Sequence, residues 1–453
     1  MDDSARVQKR TRRDGRGLIV ALVVVLFAIP SRDVFAGSGL AITPAVALSF
    51  LILALWVGGR MMPGAHPPIS KNPVAIALGI YLLTVVLSAA GAGSMFHSPD
   101  EARGLDRGII TMIAVLGSAV VLTDVLTISG VKRIVTVMCW CATGLSLIGI
   151  VQFEFGVNVS NFLLHIPGLR STFSQNFILT RSIFRRPSGT AEHPIEFGVV
   201  LASVLPLAAY RAFGAKTRVQ AQWRWISAVV ILVGAAMSLS RGAFIAIAAA
   251  GIVMVTTWKA RRIANVAIAG ALVFASLRVA IPGLVGTMIS LFLHLSSDPS
   301  IQGRTQDYAI VGGTIKDHPL IGRGFGTFIP GPNDLLDNQY LGTIVETGFV
   351  GLAGLLLVFI VAFMCARGAR RVCGPDRDTA ELAQALAGSV AGCAVYFATF
   401  DALSFPMARG VTFVLVGCAG ALWIQTRRYK TDPLVAELEA AREEKALVTQ
   451  GAR

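Results

Sequence analysis

The stretch AAMSLSRGAFIAIAAAG, residues 235–251, places a single arginine in the middle of an apolar run. Arg241 is the only charged residue between positions 226 and 257. An arginine at the centre of a bilayer costs at least about 2.5 kcal/mol. The run is too long for one span but fits two short spans. We therefore predict a tight turn at SLSRG, residues 238–242, that brings Arg241 to a membrane interface.

The rest of the chain has the composition of a membrane protein. Of its 453 residues, 54% are hydrophobic and 15% are charged, and the mean hydropathy is +0.67. Apolar runs of about 17–25 residues recur between short polar stretches, which is typical of polytopic helical membrane proteins. We predict an all-α membrane protein with about 12 transmembrane helices and two long extracytoplasmic loops, the larger containing short helices. The net charge of +14 could indicate a nucleic-acid partner. The excess of lysine and arginine that membrane proteins carry in their cytoplasmic loops also explains this charge, so no nucleic-acid partner is predicted.

Lysine and arginine also predict the orientation. With a cytoplasmic N-terminus, most of the 40 lysines and arginines fall in cytoplasmic segments, as the positive-inside rule requires. Both termini are then cytoplasmic. The predicted segments are a basic cytoplasmic N-terminus (1–16), N-terminal transmembrane helices (17–151), a first long extracytoplasmic loop (152–194), transmembrane helices with the SLSRG turn (195–282), a large extracytoplasmic loop (283–341), C-terminal transmembrane helices (342–425) and a cytoplasmic tail (426–453).

Two local patterns have competing interpretations. The basic N-terminus and the apolar run at 18–29 resemble a secretory signal, but further spans follow, so an uncleaved first helix is simpler. The six cysteines show neither the spacing of common zinc sites nor a disulfide framework. No metal and no cofactor are predicted.

The two long loops are the candidate functional regions, since loops of this length in compact proteins are often functional. The first carries four arginines on the side where the positive-inside rule disfavours them, so we expect an anionic ligand there. These are Arg170, Arg181, Arg185 and Arg186. The second has Arg304 before a predicted short helix at 305–316, then a glycine turn. No strand precedes these glycines, so they do not form a Rossmann dinucleotide site.

The order of the motifs resembles a known family, the O-antigen ligase and polymerase superfamily of bacterial membrane glycosyltransferases. Its pattern runs from about 186 to 351. The matching elements are Arg186, Gly189, His193 and Pro194, then SLSRG at 238–242, Arg304, PLIGRGFG at 319–326, and DNQYL at 337–341 followed by Glu346, Gly348 and Gly351.

The resemblance implies a metal-independent transferase at the outer face of the bacterial cytoplasmic (inner) membrane. Its donor would be an oligosaccharide on undecaprenyl pyrophosphate, and its other partners the glycan acceptor and the bilayer. Guanidinium groups bind phosphate oxygens bidentately and stabilise the leaving pyrophosphate. The implied catalytic residues are Asp337, Arg304 and Arg241. The implied substrate-binding residues are Arg186, Arg241, Arg304, His193, Asn338, Tyr340, Glu346, Gly322 and Gly324.

One departure from the family pattern favours a polymerase. Ligases that load glycan onto lipid A core usually have a histidine where this chain has Asp337, and a carboxylate can also act as general base. A polymerase would work with a flippase and a chain-length regulator. A ligase acting on a lipid, wall-polymer or protein acceptor stays open. A flippase or transporter is disfavoured, because the candidate residues cluster on one face rather than along a path.

Purely structural roles compete with several of these assignments. Arg241 could snorkel to lipid phosphates, and Asp337 could cap the next helix. Arg185 could be the family's arginine instead of Arg186. The remaining alternatives are local backbone hydrogen bonding for Asn338, a structural interfacial role for His193, helix packing for Glu346, and turn formation for the glycines.

Overall fold

A computed structural model gives the fold. It describes residues 17–37, 39–63, 71–92, 98–158, 166–172, 178–293, 311–313, 315–328, 336–373 and 376–431. The helices are α1 Gly17–Ala28, α2 Pro44–Met61, α3 Pro73–Ala92, α4 Pro99–Val125, α5 Ile128–Phe155, α6 Pro194–Phe213, α7 Arg218–Met237, α8 Arg241–Val255, α9 Ala260–Ala280, α10 Leu284–Leu293, α11 Gln339–Val372, α12 Arg377–Tyr396 and α13 Pro406–Thr431.

The all-α membrane class is confirmed. Within the described residues, nine helices are long and apolar enough to cross a membrane, namely α2 to α7, α9, α11 and α13. Helices α1 and α8 are apolar but shorter. Each of the twelve predicted spans overlaps one helix, but the number that cross the membrane stays a prediction.

The described loops also contain short strands, which the all-α prediction did not include. Strand β1 (Asp33–Phe35) pairs antiparallel with β2 (Leu169–Ser171). Strands β3 (Thr180–Arg181) and β4 (Phe184–Arg185) form a small hairpin. Pairing satisfies backbone N–H and C=O groups that lie outside the helices. The larger loop contains α10 and short helical turns at 311–313 and 315–317, and these turns overlap the end of the predicted helix at 305–316.

Helix starts follow ordinary capping chemistry. Thr43 caps α2 by accepting from the Val46 N–H at 3.4 Å, and Thr217 caps α7 in the same way. Helices α2, α4 and α6 have proline in their first turn, where its missing N–H costs nothing. These signals fix where the helices begin.

Helices α6 and α13 lie at the centre of the bundle, where most of each membrane-length window is buried, whereas α9 is almost wholly exposed. One end of the bundle brings together the β1–β2 sheet and the starts of α6, α11 and α13. There the Ser31 N–H donates to Thr190 O at 2.8 Å and the Gln339 N–H to Phe397 O at 2.8 Å. The opposite end is rich in basic residues. The predicted site residues that the structure describes lie at the first end.

Candidate functional site

The SLSRG segment forms the predicted turn between α7 and α8. Leu239 has φ +49, and the Ser240 N–H donates to Ser238 Oγ at 3.2 Å. Helix α8 begins at Arg241. The arginine therefore lies at a helix end rather than in the middle of a span, which removes most of the cost of burying it in lipid.

Three arginines lie at or beside this turn. Arg186 Nε donates to Ser238 O at 3.0 Å, and Arg181 Nη1 donates to Leu239 O at 3.2 Å. Arg241 Nε donates to Leu291 O at 2.6 Å. All three of these acceptors are neutral carbonyls, so the bonds orient the guanidinium groups without cancelling their charge. The β3–β4 hairpin positions Arg181 and Arg186, because the Arg186 N–H closes it onto Leu179 O at 2.7 Å.

The environment of Arg186 suits an anionic ligand. Burial, with a smaller contribution from the neighbouring Arg181 cation, lowers the pKa of its guanidinium to about 10. Arg186 still carries its charge at neutral pH. Its neighbour Arg185 is exposed and donates to Phe153 O and Glu154 O. The structure thus places Arg186, and not Arg185, against the SLSRG turn.

His193 caps α6. Its Nδ1 accepts from the Ile195 N–H at 3.1 Å. Burial, reinforced by the charge of Arg186, lowers the imidazole pKa to about 4. At neutral pH the side chain is therefore uncharged and adds no cation to the arginine cluster.

The glycine turn and the start of α11 form one packed unit. Gly348 kinks α11 with φ 67, ψ −171. The open backbone on either side of the kink exchanges four hydrogen bonds with residues 319–324: Arg323 N to Val345 O, Gly324 N to Glu346 O, Phe349 N to Pro319 O and Val350 N to Leu320 O. A Cβ on Gly322 would collide with the Glu346 backbone. The glycines therefore allow close backbone packing, as turn residues do.

Glu346 fastens this unit to the next part of the loop. Its Oε1 accepts from the Gly326 N–H at 3.0 Å, and its carboxylate also accepts from the Phe328 N–H. The nearby Arg323 pairs instead with Glu101 at 2.6 Å. The carboxylate thus accepts hydrogen bonds from the loop backbone, which agrees with the packing alternative for Glu346.

The polar residues of the DNQYL segment have different roles. Asn338, and not Asp337, caps α11, with its Oδ1 accepting from Tyr340 N at 3.0 Å and from Leu341 N at 3.4 Å. The Tyr340 hydroxyl donates to Ala394 O at 2.6 Å. Asp337 is partly exposed and lies near a second carboxylate, Asp401.

Asp401 was not predicted from the sequence. Burial, with smaller contributions from the charges of Asp337 and Glu196, raises the pKa of its carboxyl group to about 7. A carboxyl group with such a pKa can take up or release a proton near neutral pH. Asp401 is therefore an acid–base group beside the predicted motifs.

The comparison with protein families agrees with the motifs. Residues 226–356 match the family described as O-Antigen ligase. The resemblance to the O-antigen ligase and polymerase superfamily is confirmed. The matched segment includes SLSRG, the glycine turn and Glu346, and it leaves Arg186 and His193 outside. No curated protein matches the chain.

Arg304, the remaining arginine of the O-antigen ligase pattern, lies outside the described residues. Its predicted role in binding pyrophosphate stays a prediction. The other predicted site residues are all described. Six lie in the second loop or at the start of α11, namely Gly322, Gly324, Asp337, Asn338, Tyr340 and Glu346. Three lie in the first loop or the SLSRG turn, namely Arg186, His193 and Arg241.

A cavity of about 310 Å³ adjoins these motifs. Besides Glu346, four charged residues that do not belong to the sequence motifs line it, namely Arg32, Arg107, Glu192 and Arg409. Burial, with the charges of Glu196 and Asp401, raises the pKa of Glu192 to about 7. The lining thus combines cations with the carboxyl group of Glu192, which titrates near neutral pH. This combination suits the hydroxyl and acidic groups of a glycan.

Glu196 holds together segments that line this cavity. Its carboxylate accepts from Met407 N at 2.7 Å and Ala408 N at 3.0 Å, at the start of α13. It also accepts from Ser31 Oγ at 3.1 Å and Glu192 N at 2.7 Å. A carboxylate is favourable at a helix N-terminus. The sequence signal for Glu196 and Arg409 was a charged residue inside an apolar span, which marks functional or structural sites in membrane proteins.

Proposed function

We propose that this chain is a membrane glycosyltransferase that polymerises undecaprenyl-pyrophosphate-linked oligosaccharide repeat units. It would act at the extracytoplasmic face of the bacterial cytoplasmic membrane during surface polysaccharide synthesis. The observation that carries the proposal is the convergence of Arg186 and Arg241, 55 residues apart in sequence, at and around one turn. The O-antigen ligase match of residues 226–356 supports it.

In the proposed reaction, the arginines hold the donor pyrophosphate. Arg186, Arg241 and Arg304 donate N–H groups to its oxygens and neutralise the charge that grows as the bond to the sugar breaks. The donor's tail stays in the bilayer beside α7 and α8. Because the guanidinium groups of Arg186 and Arg241 are already held by backbone carbonyls, they need little reorganisation when the donor binds.

Asp337 would accept the proton of the attacking acceptor hydroxyl. The hydroxyl oxygen forms a bond to the anomeric carbon, the carbon–oxygen bond to pyrophosphate breaks with its electron pair, and undecaprenyl pyrophosphate leaves. Single displacement gives inversion at the anomeric carbon. Asp401 lies close enough to Asp337 for their charges to interact, and its own pKa of about 7 lies in the range where a carboxyl group exchanges a proton at neutral pH. The adjoining cavity would hold the acceptor glycan.

The decisive experiment is turnover with purified full-length protein in lipid, given undecaprenyl-pyrophosphate oligosaccharide alone. A ladder of longer lipid-linked glycans with released undecaprenyl pyrophosphate is expected. Transfer only after a different acceptor is added would replace the polymerase with a ligase. Donor that crosses the bilayer chemically unchanged would mean a transporter.

Variants in the same assay test the assigned roles. Arg241→Ala and Arg304→Ala should each abolish the ladder without loss of protein from the membrane, and Asp337→Asn should slow turnover while donor binding is kept. Arg170→Ala provides a loop arginine as control. Full ladders from both arginine variants would refute the proposed pyrophosphate site.

A further inference from the structure

The basic end of the bundle, opposite the site described above, contains a second and larger cavity. Its volume is about 580 Å³, and it lies between the start of α9, the end of α11 and the start of α12. Five cationic side chains and a single carboxylate, Glu381, line it. The cations are Lys259, Arg261, Arg262, Arg370 and Arg377.

Glu381 cannot balance this charge. It pairs with Arg262 at 2.8 Å and with Arg370 at 3.7 Å. Within the described part of the chain, no carboxylate forms an ion pair with the other three cations. A cavity with this excess of positive charge attracts a multiply charged anion.

Arg262 and Trp258, which line the cavity, have buried N–H groups. The guanidinium of Arg262 lies 3.8 Å from the ring centroid of Phe213 and 4.5 Å from that of Trp258. Its Nε and Nη2 atoms and Trp258 Nε1 are buried, and none has a hydrogen-bond partner among the described residues. Leaving such donors unsatisfied costs free energy, so a ligand with several acceptor oxygens would be stabilised here.

The N-terminus of α9 provides a further anion site. Its N-cap, Lys259, forms no side-chain cap bond, and the first turn contains no acidic residue. Free N–H groups and the helix dipole favour a negative charge at this position. The sequence places cations there instead, which is unfavourable unless an anion lies between them.

Helix α9 also leaves room for lipid chains. Only 6% of its membrane-length window is buried, and its main described packing partner is α10, the next helix. Ile268, Leu272 and Val279 are exposed along it. Acyl chains can pack along these side chains while the headgroup reaches the cations.

We propose that this cavity binds the phosphate headgroup of an anionic phospholipid whose acyl chains pack along α9. Basic pockets between transmembrane helices are known to hold such headgroups. The ligand chemistry is that of phosphate oxygens, and the adjoining apolar helix favours a lipid over free phosphate. The inference does not rest on the proposed transferase activity.

The test measures lipid binding to the full-length protein in neutral detergent. The probes are diphosphatidylglycerol, phosphatidylcholine and inorganic phosphate, with intrinsic tryptophan fluorescence as the readout. The site variant is Arg261→Gln with Arg377→Gln, two exposed residues without structural contacts among those described. The control is Arg133→Gln with Arg218→Gln, which removes the same charge from the same end of the bundle but outside the cavity.

We expect the wild-type protein to bind diphosphatidylglycerol in preference to phosphatidylcholine. The Kd should rise about 10- to 30-fold in the site variant and less than about twofold in the control. Equal weakening in both variants, or equally tight binding of phosphatidylcholine, would overturn the proposal. Displacement of the lipid by inorganic phosphate at equal concentration would overturn the lipid assignment and indicate a soluble phosphate ligand.

Discussion

Replacing Arg186 by glutamine gives the sharpest test of the proposed pyrophosphate site. The fold holds its cation in an unfavourable place, since burial and Arg181 lower the pKa of the guanidinium from its ordinary value to about 10. That shift corresponds to about 3 kcal/mol of unfavourable environment. A bound pyrophosphate would offset this cost, and one charge-assisted hydrogen bond contributes about 1.5–3 kcal/mol.

The expected loss is therefore about 10- to 100-fold in kcat/KM for the lipid-linked donor. Undecaprenyl pyrophosphate release at varied donor concentration measures it. Arg186→Lys keeps the charge but loses the planar fork, so it should recover only part of the rate. The Tm should not fall in Arg186→Gln, because a buried, repelled cation has been removed.

Arg185→Gln is the matched control. Arg185 is exposed and bonds only to carbonyls at the end of α5, so its variant should keep kcat/KM within about twofold, as surface substitutions usually do. Equal losses in the two variants would refute the assignment of Arg186. So would a fall in Tm for Arg186→Gln with unchanged kcat/KM per folded protein.

Three further substitutions test the structure around the site. Gly348→Ala places a side chain at φ 67 and against the Leu320 carbonyl, so we expect about 3 kcal/mol of destabilisation and loss of activity. The control is Gly79→Ala, where a Cβ meets nothing, and it should leave the Tm in detergent unchanged. Equal Tm values for the two variants would contradict the packed unit formed by the glycine turn and the start of α11. The carboxyl pKa of Asp401 is raised from 3.8 to about 7. The free energy of unfolding of the protein therefore falls as the pH rises through this window, by up to about 4 kcal/mol. Asp401→Asn should therefore raise the Tm at pH 8 and leave it nearly unchanged at pH 4, and a pH-independent shift would remove the carboxyl group as the cause. Glu196→Ala leaves the N–H groups at the start of α13 unpaired, so thermal unfolding should show a stability loss of about 2–4 kcal/mol. A loss below about 0.5 kcal/mol would contradict a stabilising role for the Glu196 hydrogen bonds.

The family motifs that the sequence revealed turn out to have different physical roles. PLIGRGFG and the segment around Gly348 are two halves of one packed backbone unit, and Asn338 and His193 are helix caps. Arg241 of SLSRG and Arg186 of the first loop are the described residues that we propose bind the donor. A motif in the sequence thus marks a position without telling whether it serves the fold or the substrate.

The sequence by itself determined the membrane class and the SLSRG turn. These depend on short-range physics, namely the length of apolar runs and the cost of an arginine inside lipid. The tertiary structure alone decided that Arg186 rather than Arg185 faces the turn and that Asp401 lies beside Asp337. It also decided that Arg409 lines a cavity. These outcomes depend on which helices pack together, and the free energy of a buried charge is set by neighbours that are distant in the chain.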